Sequence, residues 1–328
     1  MKKILITGGT GFIGYHLAKR LADEDCSITI VDNFFRSEHD ADLITLLKKP
    51  NIKLIEKDLT IKESWDEIGT GYDYVYHLVG INGTKLFYEM PYEVLRIGIM
   101  TILNALDWFR TTNGNPKAKI LYTSSNEVYA GALEAYGKLP IPTPENVPLI
   151  IIDPYNPRWS YAGQKLIGEM FFIHYAKAYN LRMSIVRPHN FYGPREGYLH
   201  AIPEIIGRVS NKIDPFPIWG ADETRSFCYI DDAVLAIQTV MESNKTDGGT
   251  YHIGTNKETS IKDLVESIFR LMKWHPKSLD IKKSPEGSTK RRLPDVSKIK
   301  TDTCWESKID LEEGLQKMIV WYLANPQK

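Results

Sequence analysis

Apolar residues in the N-terminal half of the chain fall into two alternating patterns. Short, nearly continuous β-branched runs stand at ILIT (4–7), ITIV (28–31), IKLI (52–55), YVYHL (74–78), ILYTS (120–124) and MSIVR (183–187). Between several of them lie longer stretches with apolar positions at helical spacing: Phe12–Ala22, Tyr92–Phe109 and Tyr161–Tyr179. Strands that are apolar on both faces are covered on both, and strands separated by helices run parallel with the helices as crossovers. The pattern predicts an α/β fold with a doubly wound parallel sheet.

Beyond Arg187 the alternation loosens, interrupted by Pro188, Pro194, Pro203, Pro215 and Pro217. Helices are expected after Asp231-Asp232 and after Ser260, with a closing amphipathic helix over Leu311–Leu323. YHIG (251–254) reads as one more strand. The organisation expected is a sheet domain of residues 1–187 plus about 226–256, and a smaller C-terminal lobe of residues 188–225 plus about 257–328.

Composition removes several alternatives. At 328 residues the chain suffices for such a domain and lobe. Lys and Arg number 41, as do Asp and Glu, so there is no general basic field and nucleic acid is not an expected partner. No apolar run reaches ~18 residues, so no transmembrane helix is expected. Met1 leads within two residues into ILIT without the design of a signal peptide, which points to the cytoplasm. Cys26, Cys228 and Cys304 are far apart and odd in number; reduced thiols are expected, and no metal site.

Candidate chemistry begins after the first strand, where Gly8, Gly11 and Gly14 form G-x-x-G-x-x-G ahead of a helix. Glycines permit the tight turn and let backbone N–H groups approach a pyrophosphate, which the helix N-terminus also favours. This is the signature of a Rossmann-type nucleotide-binding unit. Asp32 ends the second strand, 18 residues after Gly14. A carboxylate there accepts hydrogen bonds from the adenosine ribose and repels a 2′-phosphate, so NAD is favoured over NADP. Arg36 nearby weakens that preference without reversing it. Asp58, after the third strand, is equally an adenine contact or an ordinary helix cap.

Tyr161 and Lys165 in SYAGQK are four residues apart and share a helix face. A free tyrosine, with a pKa of ~10, is too weakly acidic to act as a base at neutral pH; a neighbouring ammonium stabilises the phenolate. Ser124 and Ser125 end the fifth strand, and ligands of open parallel sheets bind beyond the carboxyl ends of strands.

With these motifs in order, the chain resembles the extended short-chain dehydrogenase/reductase family, the NAD-dependent epimerases and dehydratases of nucleotide-sugars. The likeness runs over nearly the whole chain, through Ser124–Tyr129, the Arg187–Arg195 segment RPHNFYGPR, Thr224–Phe227 and the ending PDVSKIKTDTCWE. It implies a seven-stranded sheet, a lobe that binds a nucleoside-diphosphate sugar, and a homodimer joined by two long helices near 91–110 and 159–179. It also implies a cofactor site of Gly8, Gly11, Phe12, Ile13, Gly14, Asp32, Asn33, Asp58, Leu59, Leu78, Tyr161 and Lys165. Tyr161 would be the base at the sugar C4 hydroxyl, Lys165 its partner and Ser125 the hydroxyl on the substrate oxygen. Ser124, Asn126, Asn190, His200, Arg225 and Arg292 are the expected substrate contacts, Asn190 at the diphosphate and Arg225 with Arg291 or Arg292 on the phosphates. The lesser reading of the Lys290-Arg291-Arg292 run is a solvated loop. Gly98 stands where many relatives have asparagine, and His77 reads as a strand histidine rather than a catalyst.

Oxidation at C4 gives a 4-keto sugar with an acidified C5. The fate of that ketone depends on Ser125-Asn126-Glu127. The family's dehydratases carry Thr-Asp-Glu here, its decarboxylases retain a carboxylate at the position of Glu127, and its 4-epimerases have small or neutral residues. The leading expectation is an epimerase or dehydratase in which Glu127 handles a proton; a uronate decarboxylase or a 4-oxidase is the alternative. Glu127 as a mere hydrogen-bond partner, and a non-catalytic NAD-binding sensor, stay open beside them.

Overall fold

The computed structural model describes residues 1–137, 139–284 and 290–326. The main sheet is built from β1 (Lys2–Thr7), β2 (Cys26–Asp32), β3 (Ile52–Glu56), β4 (Tyr74–His77), β5 (Lys119–Thr123), β6 (Arg182–Pro188) and an edge strand, Thr250–Ile253. Their order is edge strand, β6, β5, β4, β1, β2, β3, all parallel. The central strands are buried on both faces, as in KILYT of β5, which explains their unbroken apolar runs. The chain winds outward through β1, β2 and β3, then crosses back to lay β4 against the other side of β1. The crevice beyond the carboxyl ends of β1 and β4 is thus the topological switch point.

One face of the sheet is covered by α1 (Phe12–Leu21) and Ile230–Glu242, and the same apolar core continues into the C-terminal region, where Ile261–Met272 and Leu311–Ala324 pack on each other. The other face is covered by two 21-residue helices, Pro91–Thr111 and Trp159–Tyr179. Pro91 at the first turn suits a helix start, and Asn180 in the left-handed conformation closes the second helix. The helix over Ile261–Met272 is capped by the Ser260 hydroxyl, which accepts from Asp263 N at 2.9 Å. At the far end of the sheet the buried Lys119 ammonium donates to the Val240 and Ser243 carbonyls at 2.9 Å and pairs with Asp247 at 2.8 Å. This holds the start of β5 to the end of the Ile230–Glu242 helix.

A small three-stranded sheet matters most for the site. Thr224–Arg225 lies between Thr259–Ser260 and Arg291–Arg292, with Arg292 in register with Arg225. The Lys290–Arg292 run is therefore a strand edge at its Arg291-Arg292 end, not a solvated loop. No helix among the described residues is long and apolar enough to cross a membrane, and the three cysteines are unpaired.

Candidate active site

The glycine loop is shaped by close backbone packing. Gly8 has φ +72°, and a Cβ on it would meet Val79 N at 3.0 Å. A Cβ on Gly14 would lie 2.5 Å from the Gly8 carbonyl oxygen and the Gly9 Cα, so only glycine lets α1 start this close to β1. No side chain caps α1, which leaves its positive end facing the crevice. Asp32, half-buried, accepts from Thr10 N at 3.1 Å and Phe34 N at 3.0 Å, tying the end of β2 to the loop. Phe12 and Ile13 open α1, half-buried, and Leu78 packs against the core just after β4. Asn33 accepts from Phe35 N, and Asp58 from Thr60 N at 2.9 Å, so both shape their own turns. Leu59 is buried, and its carbonyl accepts from Trp65 and Asn104. These residues fit a dinucleotide laid across the switch point.

Tyr161 and Lys165 lie on one face of the Trp159–Tyr179 helix, beneath the end of β5. The Tyr161 hydroxyl lies near enough to Ser125 for the serine hydroxyl to favour its phenolate, and its ring stacks on Phe87 with centroids 4.9 Å apart. Lys165 Nζ donates to the Thr123 carbonyl at 2.7 Å and lies 5.8 Å from the Tyr161 ring centroid. Burial dominates both ionisations. It pushes the Tyr161 phenol up to about 12, against the lowering effect of the nearby Ser125 hydroxyl. It draws the Lys165 ammonium down to about 7. Desolvation thus outweighs the nearby charges in setting both ionisations within the protein itself.

Ser125 retains extended geometry, but the chain then turns into a short 3-10 helix, Asn126–Tyr129, capped by the Ser125 hydroxyl. Strand alternation past Ser125 thus fails, and Glu127 reaches its place by the turn. Its carboxylate forms an ion pair with Arg292 and lies 3.4 Å from Arg158. Burial raises its pKa, but Arg292, Arg158 and Arg225 together more than offset this, leaving it below the usual carboxylate range. The charge of Glu127 also acts on Tyr161, favouring the neutral phenol. Arg225 pairs with Glu223 at 2.7 Å beside Arg292.

Three expected substrate contacts are placed differently from the rest. Ser124 is a correction: its hydroxyl is buried and donates to Glu169 Oε1 at 2.5 Å, behind the sheet end, so it is committed to the scaffold. Asn190, with φ +40°, donates to the Ser226 carbonyl at 2.9 Å. His200 sits 3.6 Å from Glu196, and burial together with Arg36 draws its pKa down to about 4. Asn126 is buried with its amide nitrogen unpartnered among the described residues. His77 is fully buried, 2.9 Å from the Thr7 hydroxyl, as a strand histidine would be. The Gln164 amide fills the space opposite Gly98. Sequence reasoning missed Arg158; its spacing of three before Tyr161, at a helix start, was the available signal.

Fold and crevice define a dinucleotide-dependent enzyme of the doubly wound class. The model of the NAD dependent epimerase/dehydratase family matches residues 4–254, and the chain belongs to this family. NAD is accordingly its cofactor. The chain is 33% identical to UDP-N-acetyl-alpha-D-glucosaminuronate decarboxylase of Bacillus cytotoxicus, over 98% of both chains. It is 29% identical to UDP-glucuronic acid decarboxylase 6 of Arabidopsis thaliana, over 96% of this chain and 87% of that one. UDP-glucose 4-epimerase of Thermotoga maritima, solved with UDP-glucose, shares the fold at a TM-score of 0.83 and 23% identity, covering 99% of this chain and 100% of that one. The curated relatives favour the decarboxylase alternative over the leading expectation of an epimerase or dehydratase.

Proposed function

We propose that this chain is an NAD-dependent decarboxylase of a nucleoside-diphosphate-linked hexuronate. The observation that carries this reading is the carboxylate of Glu127 between Arg292 and Arg158, beside Ser125 and Tyr161. Two guanidinium groups against one carboxylate leave an excess of positive charge, which suits a further carboxylate on the substrate. The names of both decarboxylase relatives support the same reading.

Bound NAD would supply a reversible two-electron oxidation at C4. Tyr161 takes the proton of the C4 hydroxyl, while Ser125 orients that oxygen. The C6 carboxylate is then β to a ketone. The C5–C6 bond breaks, CO2 leaves, and the electron pair passes into the C4 carbonyl as an enolate whose oxygen faces Tyr161 and Ser125. C5 then takes a proton originating from solvent. Glu127, held ionised, is a poor proton donor; its part is to fix the two arginines in place.

The test is incubation with UDP-glucuronate and UDP-N-acetylglucosaminuronate in deuterated buffer. The expected product has lost CO2 and carries deuterium at C5. Glu127→Gln should slow CO2 release by about 10²-fold, the scale for removing one preorganised electrostatic group, while still forming NADH. A product of conserved mass inverted at C4 would return the chain to the epimerases.

We also infer a homodimer. The Trp159–Tyr179 helix leaves Met170 51% and Ile173 40% exposed, and Met100 on Pro91–Thr111 is 40% exposed. A helix apolar around its circumference is one that packs on both sides. Light scattering should give a dimer, and Met170→Glu a monomer; a monomeric native protein ends this inference.

A further inference from the structure

We propose that Arg36 closes over the diphosphate of the bound dinucleotide, completing from above a site that α1 forms from below. The loop after β2 is pinned along its length. Phe34 turns back with φ +54° and stacks on His39, their ring centroids 4.0 Å apart. Ser37 is hydrogen-bonded to Thr10 of the glycine loop at 2.5 Å. Asp40 is held by Arg195 through contacts of 2.6 and 2.9 Å.

Between these anchors the Arg36 side chain crosses the crevice. Its Nη2 lies 3.8 Å from where a Cβ would stand on Gly83 and 3.8 Å from the same point on Gly197, two loops of the opposite wall. It acts electrostatically on Tyr161 and on His200. The side chain therefore runs from the Asp32 end of the crevice toward the catalytic tyrosine, past the glycine loop.

Arg292, Arg158, Arg187 and Arg195 are all paired with carboxylates. Arg36 has neither an ion pair nor a hydrogen bond among the described residues. It is open to water, yet loss of hydration lowers its pKa, as for a cation inside a cleft. Such a group is suited to an incoming anion, and a guanidinium matches phosphate oxygens in pairs.

Position selects the anion. Between the ribose carboxylate Asp32 and Tyr161, the negative part of a dinucleotide is its diphosphate, over the uncapped start of α1. If the decarboxylase reading holds, oxidation and return occur within one cycle, and a clamp that slows cofactor loss keeps that cycle intact.

Calorimetry on Arg36→Gln tests this with NAD, ADP-ribose and adenosine as probes. Affinity for NAD and for ADP-ribose should each fall by roughly 10–100-fold, the scale of a charged hydrogen bond, while adenosine binds as before. Arg36→Lys should recover part of the loss. Unchanged affinity for NAD and ADP-ribose overturns the proposal. So does a parallel loss for adenosine, which would mean the loop rather than the charge, or an effect confined to the KM of the nucleotide-sugar.

Discussion

Replacing Tyr161 with phenylalanine is expected to lower kcat by about 10²–10⁴-fold, the usual worth of a positioned proton acceptor, and to leave NAD binding nearly intact. The ring packs on Phe87 and its hydroxyl meets Ser125, so the substitution removes the oxygen without disturbing the stack. The ionisations set the accompanying pH profile. With Tyr161 near about 12 and Lys165 near about 7, the free enzyme at neutral pH holds most of the pair as phenol plus neutral or half-protonated amine. The reactive form is phenolate plus ammonium, which carries the same single proton differently placed. Below about 7 the pair binds a second proton and the reactive form is lost. Thus kcat/KM should rise with pH through about 7 and then stay level until the last proton leaves at strongly alkaline pH. A retained native kcat in Tyr161→Phe, or a profile that falls as pH rises through 7, would sink this acid–base assignment.

Much of this arrangement was readable in advance, for definite reasons. Parallel strands buried on both faces leave apolar runs such as ILIT and ILYT, so all six N-terminal strands and the returning strand at 250–253 were visible. The glycine loop and the Tyr161/Lys165 pair are local patterns, and local geometry suffices to place them. The sheet that brings Arg225 beside Arg292 consists of two-residue strands, set by pairing between segments far apart in sequence; no periodicity announces it. Ser124 and Ser125 are chemically identical neighbours. Only the direction of each hydroxyl, one into Glu169 and one toward Tyr161, separates scaffold from site. Glu127 was expected on an extended strand, but a turn replaces that strand just after Ser125. The charges around Glu127, on which the decarboxylase proposal draws, were not legible in the sequence, because Arg158 and Arg292 reach it from separate parts of the chain.

The scaffold beneath Ser125 should prove as sensitive as the site. Glu169 is buried on the Trp159–Tyr179 helix and accepts from Arg187 Nε at 2.8 Å, while Arg187 Nη2 reaches its other oxygen at 2.7 Å. Both side chains are nearly inaccessible, 2% and 4%. The Ser124 hydroxyl completes the same carboxylate, and Arg187 Nη1 donates to the Glu145 carbonyl at 2.9 Å. Glu169→Leu should destabilise the protein by about 3–5 kcal/mol, because the guanidinium is left buried with its carboxylate gone. Adding Arg187→Met should restore much of that loss, since the penalty belongs to the unpaired charge rather than to the absence of the pair. Glu169 also favours the charged form of Lys165, which precedes it by one helical turn. The double variant should therefore refold well yet show its kcat/KM limb displaced to lower pH, as Lys165 loses the carboxylate that raises its pKa. Urea denaturation at fixed protein concentration measures the first effect and the pH–rate profile the second. A single variant that loses less than about 1 kcal/mol, the scale of an exposed pair, would show that Arg187 is not confined as described; an unmoved limb would detach Lys165 from this network.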